Sequence, residues 1–299
     1  MSAVLEYFVV DVFTREPFAG NPLAVVMNTA GLSTEQMQAI AREFNLSETT
    51  FVERRAAEIE AGEGVRVRIF TTEEELPFAG HPTLGTASVL KLTALDTVRD
   101  QTVTLAENVG PIPVRFTGDG LYGEMTQRDP EFGTELERAE VARLCGLHAD
   151  DLDALAAPQV VSTGTAFAIV LVRSVEALGR LRVHQEEATP WLRDRGARWF
   201  YVMAPAANET PDLAATFRSR MQFYGGEDPA TGSAAGCAIS YLAGKGIVRS
   251  DDRVLVRQGV EMGRPSELYL AAGVNGVRVT AVRVAGSTML VAKGQLFLL

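Results

Sequence analysis

Two stretches of this chain are copies of one another, and they limit what it can fold into. Residues 66–80 read RVRIFTTEEELPFAG and residues 218–232 read RSRMQFYGGEDPATG. At an offset of 152 with no gap they share Arg66/Arg218, Arg68/Arg220, Glu75/Glu227, Pro77/Pro229 and Gly80/Gly232. Chance would supply roughly one such match in a window of this size, and internal repeats take precedence over other readings. Each copy runs from an alternating segment through a Pro–Gly turn into a small-residue helical run, His81–Leu90 and Ser233–Leu242. A rival register lays HPTLGTA over DPATGSA and pairs Pro82/Pro229, Gly85/Gly232 and Ala87/Ala234. The offset of 152 is preferred because it also covers the strand upstream. The expectation is a duplicated fold with two matched strand–turn–helix units.

A length of 299 residues suits one large domain or two of ordinary size, and the repeat favours two. The expected halves are 1–126, completed by 286–299, and 127–285, with the boundary in the polar stretch QRDPEFG (127–133). At 46% apolar and 22% charged, the composition is that of a globular protein with ample core. A net charge of −10 without a basic tract argues against a nucleic-acid partner. It does not exclude a small anionic substrate, because a helix N-terminus is locally positive. The start, MSAVLEYFVVDVF, reads as a first strand rather than a signal peptide, and no apolar run reaches membrane-spanning length. A cytoplasmic protein is the expectation. Two cysteines and three histidines build no disulfide framework or metal-ligand spacing, so no metal is expected. Lys91, Lys245 and Lys293 are the only lysines, which leaves few candidates for a Schiff base.

Local patterns place the candidate residues. Residues 5–13 form a strand, EPFAGNP (16–22) a turn, and LAVVM a second strand. Ser33–Gln36 is a capping box opening a helix with Met37, Ile40, Ala41 and Phe44 on one face, ending near Asn45. NLSETTFVE (45–53) is a polar turn feeding a strand, and 65–70, 103–106, 112–116 and 121–125 are further strands. In the second half, helices are expected over 135–147, 174–182 and 184–195, with strands at 166–172, 199–204, 216–223 and four positions after residue 252. Cys145 falls on an inward helix position and reads as a small hydrophobe.

Chemistry concentrates at the two repeat turns. Gly80 and Gly232 permit close backbone approach or positive φ. Pro82 and Ser233, the latter as an expected N-cap, put helix starts just after them. Two helix N-termini could together grip a carboxylate, although either turn alone could be an ordinary tight connection. Glu48, in S-E-T-T-F beside Ser47, could act as acid and base if its carboxyl sat in a partly apolar cleft; otherwise it is a solvated strand-start glutamate. Asp228, before Pro229, commonly caps its own turn. His81 is equally a proton-transfer imidazole or a helix-start hydrogen-bonder. No G-x-S-x-G elbow, phosphate loop or dinucleotide fingerprint is present, so the turns suit a small organic anion better than a nucleotide.

At these residues the chain resembles the PhzF-like family of phenazine-biosynthesis isomerases, within the diaminopimelate-epimerase-like fold. The similarity is carried by DVFTREPFAGNPLAVV (11–26), AREFNLSETTFV (41–52), RIFTTEEELPFAGHPTLGTA (68–87), GEDPATGSAAG (226–236) and QGVEMGRPS (258–266). The resemblance implies an α+β protein of two pseudo-symmetric domains, each a curled β-sheet around a central helix, with the active site in the cleft between them. It further implies a homodimer without metal or organic cofactor. The type reaction is isomerisation of trans-2,3-dihydro-3-hydroxyanthranilate. Carried over by position, the acid/base glutamate falls on Glu48, with His81 and Asp228 completing the catalytic set. Gly80, Gly232 and Ser233 match the substrate-carboxylate holders, and Asn21 and Ser47 join the substrate-binding set. Related epimerases place a cysteine in each repeat turn, where this chain has Ala79 and Thr231; an amino-acid racemase using two thiols is thereby disfavoured. An isomerase acting on another amino-acid-derived diene and a non-catalytic small-acid binder are the remaining alternatives. The chain departs from the family in QFYGG (222–226), shorter than expected, which puts Phe223 and Tyr224 where they could reshape substrate access.

Overall fold

The structure is a computed structural model that describes residues 3–93, 101–118, 120–154, 156–208, 210–223 and 226–298. The chain divides into two compact units, Met1–Thr126 with Ala285–Leu299, and Gln127–Val284.

In the first unit β1 (Ala3–Val12) pairs antiparallel with β2 (Asn21–Val26). The helix α1 (Thr34–Phe44) follows, then β3 (Glu48–Glu53), α2 (Ala57–Glu63), β4 (Val65–Phe70) and the short β5 (Glu75–Leu76). The helix α3 (Gly80–Thr93) precedes β6 (Thr102–Glu107), β7 (Gly110–Thr117) and β8 (Tyr122–Thr126). The second unit contains β9 (Glu131–Glu135), α4 (Arg138–Leu144), β10 (Gln159–Ser162), β11 (Ala166–Leu171), α5 (Val175–Gly179) and α6 (Gln185–Arg193). It continues through β12 (Trp199–Ala206), β13 (Ala215–Arg220), the small hairpin β14 (Gln222–Phe223) and β15 (Gly226–Glu227), α7 (Gly232–Gly244), β16 (Val254–Gln258) and β17 (Ser266–Asn275). Of the last strand, β18 (Arg278–Leu298), residues 285–298 belong to the first unit.

The first unit's sheet runs β1-β2-β3-β4-β6-β7-β8-β18 and returns to β1, because β1 pairs with Thr288–Leu298 on its other side. A closed sheet leaves no edge to protect. Its interior is filled by α3, whose residues are buried from Gly80 to Leu90. That burial explains the sequence GHPTLGTASVL: a helix surrounded by strands has no solvent face and needs small side chains to fit. A Cβ on Gly85 would stand 2.6 Å from Leu23 and 2.8 Å from Val12. The helix's hydroxyls meet barrel hydroxyls, Thr86 with Thr50 at 2.8 Å and Ser88 with Thr288 at 3.0 Å, so they are not stranded in an apolar core. β3 alternates accordingly: Thr50 faces α3, while Phe51 packs with Phe70, Met37, Ile40 and Ala41 beneath α1. Each such fully buried apolar side chain contributes about 1.5–3 kcal/mol. The capping box at Ser33 and Gln36 is formed, and Asn45 closes α1 at φ +50°.

The second unit repeats the plan. Its strands run β9-β10-β11-β12-β13-β16-β17-β18, and α7 is buried from Gly232 to Ala243 against β10, β11 and β17. On the opposite face α4, α5 and α6 cover Ala168 and Val170 of β11 and Phe200, Val202 and Ala204 of β12. This is the α+β, diaminopimelate-epimerase-like arrangement expected from the resemblance. Local details differ. The expected helix over 135–147 is only Arg138–Leu144, because the polar stretch before it contains β9, which pairs with β10. The helices expected at 174–182 and 184–195 are likewise shorter, Val175–Gly179 and Gln185–Arg193. The helix α2 had no sequence signal, since none of its residues is buried.

The repeat holds at atomic detail. Arg68 chelates Glu75 at 2.8 and 2.6 Å, and Arg220 chelates Glu227 at 2.9 and 2.6 Å. Both helices begin at the glycine that the offset of 152 superposes, which decides against the rival register. Each clamp ties the strand entering the turn to the turn itself, five residues before the helix starts. Bidentate guanidinium–carboxylate pairs fix orientation as well as distance.

Candidate active site

In the first unit, three strand and helix starts bring Asn21, Glu48 and His81 together. Glu48 opens β3 directly beside Leu23 of the parallel strand β2, two residues after Asn21. His81 is the second residue of α3. The Asn21 amide nitrogen lies 3.1 Å from His81 Nδ1, and His81 Nε2 lies 3.5 Å from Glu48 Oε2. An amide N–H donating to Nδ1 leaves the ring proton on Nε2, facing the carboxylate. Asn21 and His81 are buried, and burial pushes the imidazole down to about 3, so it is neutral in ordinary buffers. The Glu48 side chain retains 12% exposure. The arrangement is one carboxylate with limited access to solvent, oriented by a neutral donor. Gly80 heads α3, whose first-turn N–H groups give that end positive character. Ser47 lies half-buried immediately before β3.

Behind this cluster is a carboxyl that the motifs did not single out. Glu107 is 5% exposed, and its Oε1 lies 2.6 Å from Thr83 Oγ1, which also lies 2.7 Å from the Ala79 carbonyl. One hydroxyl proton cannot serve both acceptors. Burial raises the Glu107 carboxyl to about 8, against the opposing pull of the Arg66 charge. The neutral acid therefore donates to Thr83, and Thr83 donates to Ala79, pinning the turn that carries Gly80 and His81. A carboxyl raised from 4.5 in the unfolded chain stabilises the fold fully below that value, and the contribution disappears as pH rises toward 8. Wild-type melting temperature should therefore fall between about pH 5 and 9, by the equivalent of a few kcal/mol. Glu107→Gln, which keeps a donor and cannot ionise, should flatten that slope. Parallel slopes in calorimetric scans of the two proteins would contradict the assignment.

In the second unit, Asp228 is 5% exposed and its Oδ2 accepts a hydrogen bond from Thr231 Oγ1 at 2.6 Å, so it engages its own turn as an Asp-Pro pair commonly does. Ser233 is not the N-cap expected from sequence. Thr231 occupies the N-cap position, Gly232 is the first helical residue and Ser233 the second; the Thr231 hydroxyl is directed to Asp228 and makes no side-chain cap bond to the helix. Neither Gly80 nor Gly232 is among the described residues with positive φ. Phe223 packs edge-on against Trp199 at 5.9 Å, and Tyr224 lies outside the described residues. Both thiols are buried. Cys145 sits in the core under α4 with its ionisation pushed far up, and Cys237, between Thr163 and the Thr165 carbonyl, is raised to about 11. Neither is a ready thiolate. Among the described residues no group of three or more His, Cys, Asp or Glu could hold a metal ion.

Residues 10–294 match the family model of phenazine biosynthesis-like proteins. The chain belongs to that family. It is 36% identical to the trans-2,3-dihydro-3-hydroxyanthranilate isomerase of Pseudomonas aeruginosa, over 98% of this chain and 99% of that protein. An uncharacterised isomerase of Mesorhizobium japonicum is 35% identical, with 98% of both chains covered. Among solved structures, one titled as a predicted epimerase from Pseudomonas aeruginosa superposes with a TM-score of 0.82 at 33% identity, covering 98% of this chain and 99% of that one. These phenazine biosynthesis-like relatives are named as isomerases, and this chain is an enzyme of that class.

Proposed function

We infer that this protein moves a proton on a small, unsaturated, carboxylate-bearing amino or hydroxy acid, with trans-2,3-dihydro-3-hydroxyanthranilate as the substrate most strongly supported. Glu48 removes a proton from carbon as a carboxylate, and the carboxylic acid so formed returns it at the far end of the conjugated system. The enol that results tautomerises to the ketone. His81 and Asp228 orient and polarise the amino or hydroxyl end. Asn21 and Ser47 line the substrate, and Gly80, Gly232 and Ser233 receive its carboxylate. The supporting observation is the Asn21–His81–Glu48 cluster. Its imidazole is neutral and too weak a base to compete for the proton, which leaves the carboxylate as carrier.

The same reading takes the enzyme as a cytoplasmic homodimer that needs no metal or organic cofactor, on the strength of family membership. An amino-acid racemase working through two thiols fits less well. Ala79 and Thr231 stand in the repeat turns, and both cysteines are buried as thiols.

Incubation of the purified protein with trans-2,3-dihydro-3-hydroxyanthranilate in D2O tests this directly. The expected result is a change in the diene absorbance together with one solvent deuterium per product molecule. Substrate left unconsumed by correctly folded protein would remove this acid as the substrate. Exchange on a related conjugated amino acid would then keep the reaction class.

A further inference from the structure

Gln258 ends β16 with its side chain fully buried, and every polar atom of its amide is in use. Nε2 donates to the Asp228 carbonyl at 2.8 Å and to Thr231 Oγ1 at 2.9 Å. Oε1 accepts from the Thr231 backbone N–H and from the Tyr201 hydroxyl, both at 3.1 Å. Tyr201 in turn lies 2.9 Å from Ser219 Oγ, and Ser219 Oγ is 3.4 Å from the same Oε1. The two backbone contacts decide which way the amide faces. A backbone N–H can meet only Oε1 and a backbone carbonyl only Nε2. With Nε2 donating to Thr231 Oγ1, the single Thr231 proton goes to Asp228 Oδ2, 2.6 Å away.

The turn is also held by shape. Gly259 has φ +74°, and a Cβ there would stand 2.7 Å from the Pro229 carbonyl and 2.3 Å from that of Arg264. Backbone thus packs on backbone directly beneath the residue that follows Asp228, and the carboxylate cannot drift with its loop.

We propose that Gln258 and Thr231 are positioning residues that form a one-way relay of hydrogen bonds, holding Asp228 ionised and in a single orientation. The inference deepens the functional reading above, on which it rests for the claim that Asp228 meets the substrate. A charge-assisted hydrogen bond from a buried hydroxyl favours the carboxylate over the acid. Tyr201 on β12 and Cys237 on α7 are kept protonated by burial, and Arg220 on β13 is bound to Glu227 of β15.

The test is a carbon-13 NMR titration of protein labelled at the aspartate carboxyl carbons, with the Asp228 signal assigned by its loss in Asp228→Asn. Thr231→Val keeps the shape and removes the donor, and should raise the Asp228 midpoint by about one pH unit. Thr231→Ser should restore it. Gln258→Glu removes both amide donors and offers Thr231 a competing acceptor, and should raise the midpoint in the same direction. An unchanged midpoint in folded Thr231→Val would overturn the relay, as would a shift there with none in Gln258→Glu. A shift in both variants with kcat/KM on the isomerase substrate unaltered would support the relay and remove Asp228 from the reaction. That outcome separates the two inferences.

Discussion

Glu48→Gln should lose about three orders of magnitude in the rate at which substrate takes up solvent deuterium. The amide occupies the same volume and can still meet His81 Nε2, now 3.5 Å from the carboxylate, so folding and substrate affinity should change little. What it cannot do is accept a proton from carbon. Neither His81, held down to about 3 by burial, nor Asn21, which does not titrate, takes over. A fall in kcat with KM nearly constant is the signature of an interaction used in the transition state rather than in binding. Wild-type deuterium uptake by the purified variant would rule out Glu48 as the carrier.

Gly20→Ala should cost about 2–4 kcal/mol of stability and most of the activity of the molecules that remain folded. The residue closes the turn between β1 and β2 at φ +68°, and a Cβ would stand 2.4 Å from the Val12 carbonyl and 2.7 Å from Thr14 Cγ2. The neighbours cannot yield easily. The Phe18 N–H is held by the buried Asp11 carboxylate at 2.6 Å, and Thr14 bonds Glu16 through both its donor and its acceptor. Asn21 is the next residue, so displacing the turn releases His81 from its tautomer-setting partner. Urea denaturation would report the first effect, and turnover normalised to folded protein the second. Full stability would mean that the turn relaxes without resistance.

The duplicated frame was readable because its signals are local. A guanidinium and a carboxylate seven residues apart on either side of a turn, and a glycine before a small-residue run, survive as Arg68–Glu75–Gly80 and Arg220–Glu227–Gly232. The capping box of α1 was readable for the same reason. Glu107 and Gln258 were harder to see because their importance depends on which way a strand faces. Yet Val103, Leu105 and Glu107 share one parity, as do Val254, Val256 and Gln258, and both are inward. A polar residue closing an inward-facing apolar series is a signal that could have found them. The N-cap of α7 falls on Thr231 and not on Ser233, two residues equally suited to capping by type, and the Thr231 hydroxyl serves Asp228 instead of the helix. β9 was missed for a different reason: all five of its residues are exposed, so no burial pattern announces it.

The pairing of Thr288–Leu298 with β1 also has a consequence for the order in which the chain can mature. The second unit is continuous in sequence and is translated whole, whereas the first must hold its opening strand unpaired along one side until residues beyond 284 emerge. Until then, the hydrogen-bonding edge of β1 is bare and α3 lies in a barrel with a missing stave. Closure over so long a separation is slow, and an exposed edge invites pairing with other chains. During synthesis the half that carries Glu48 and His81 is therefore the last to close and the one most in need of protection.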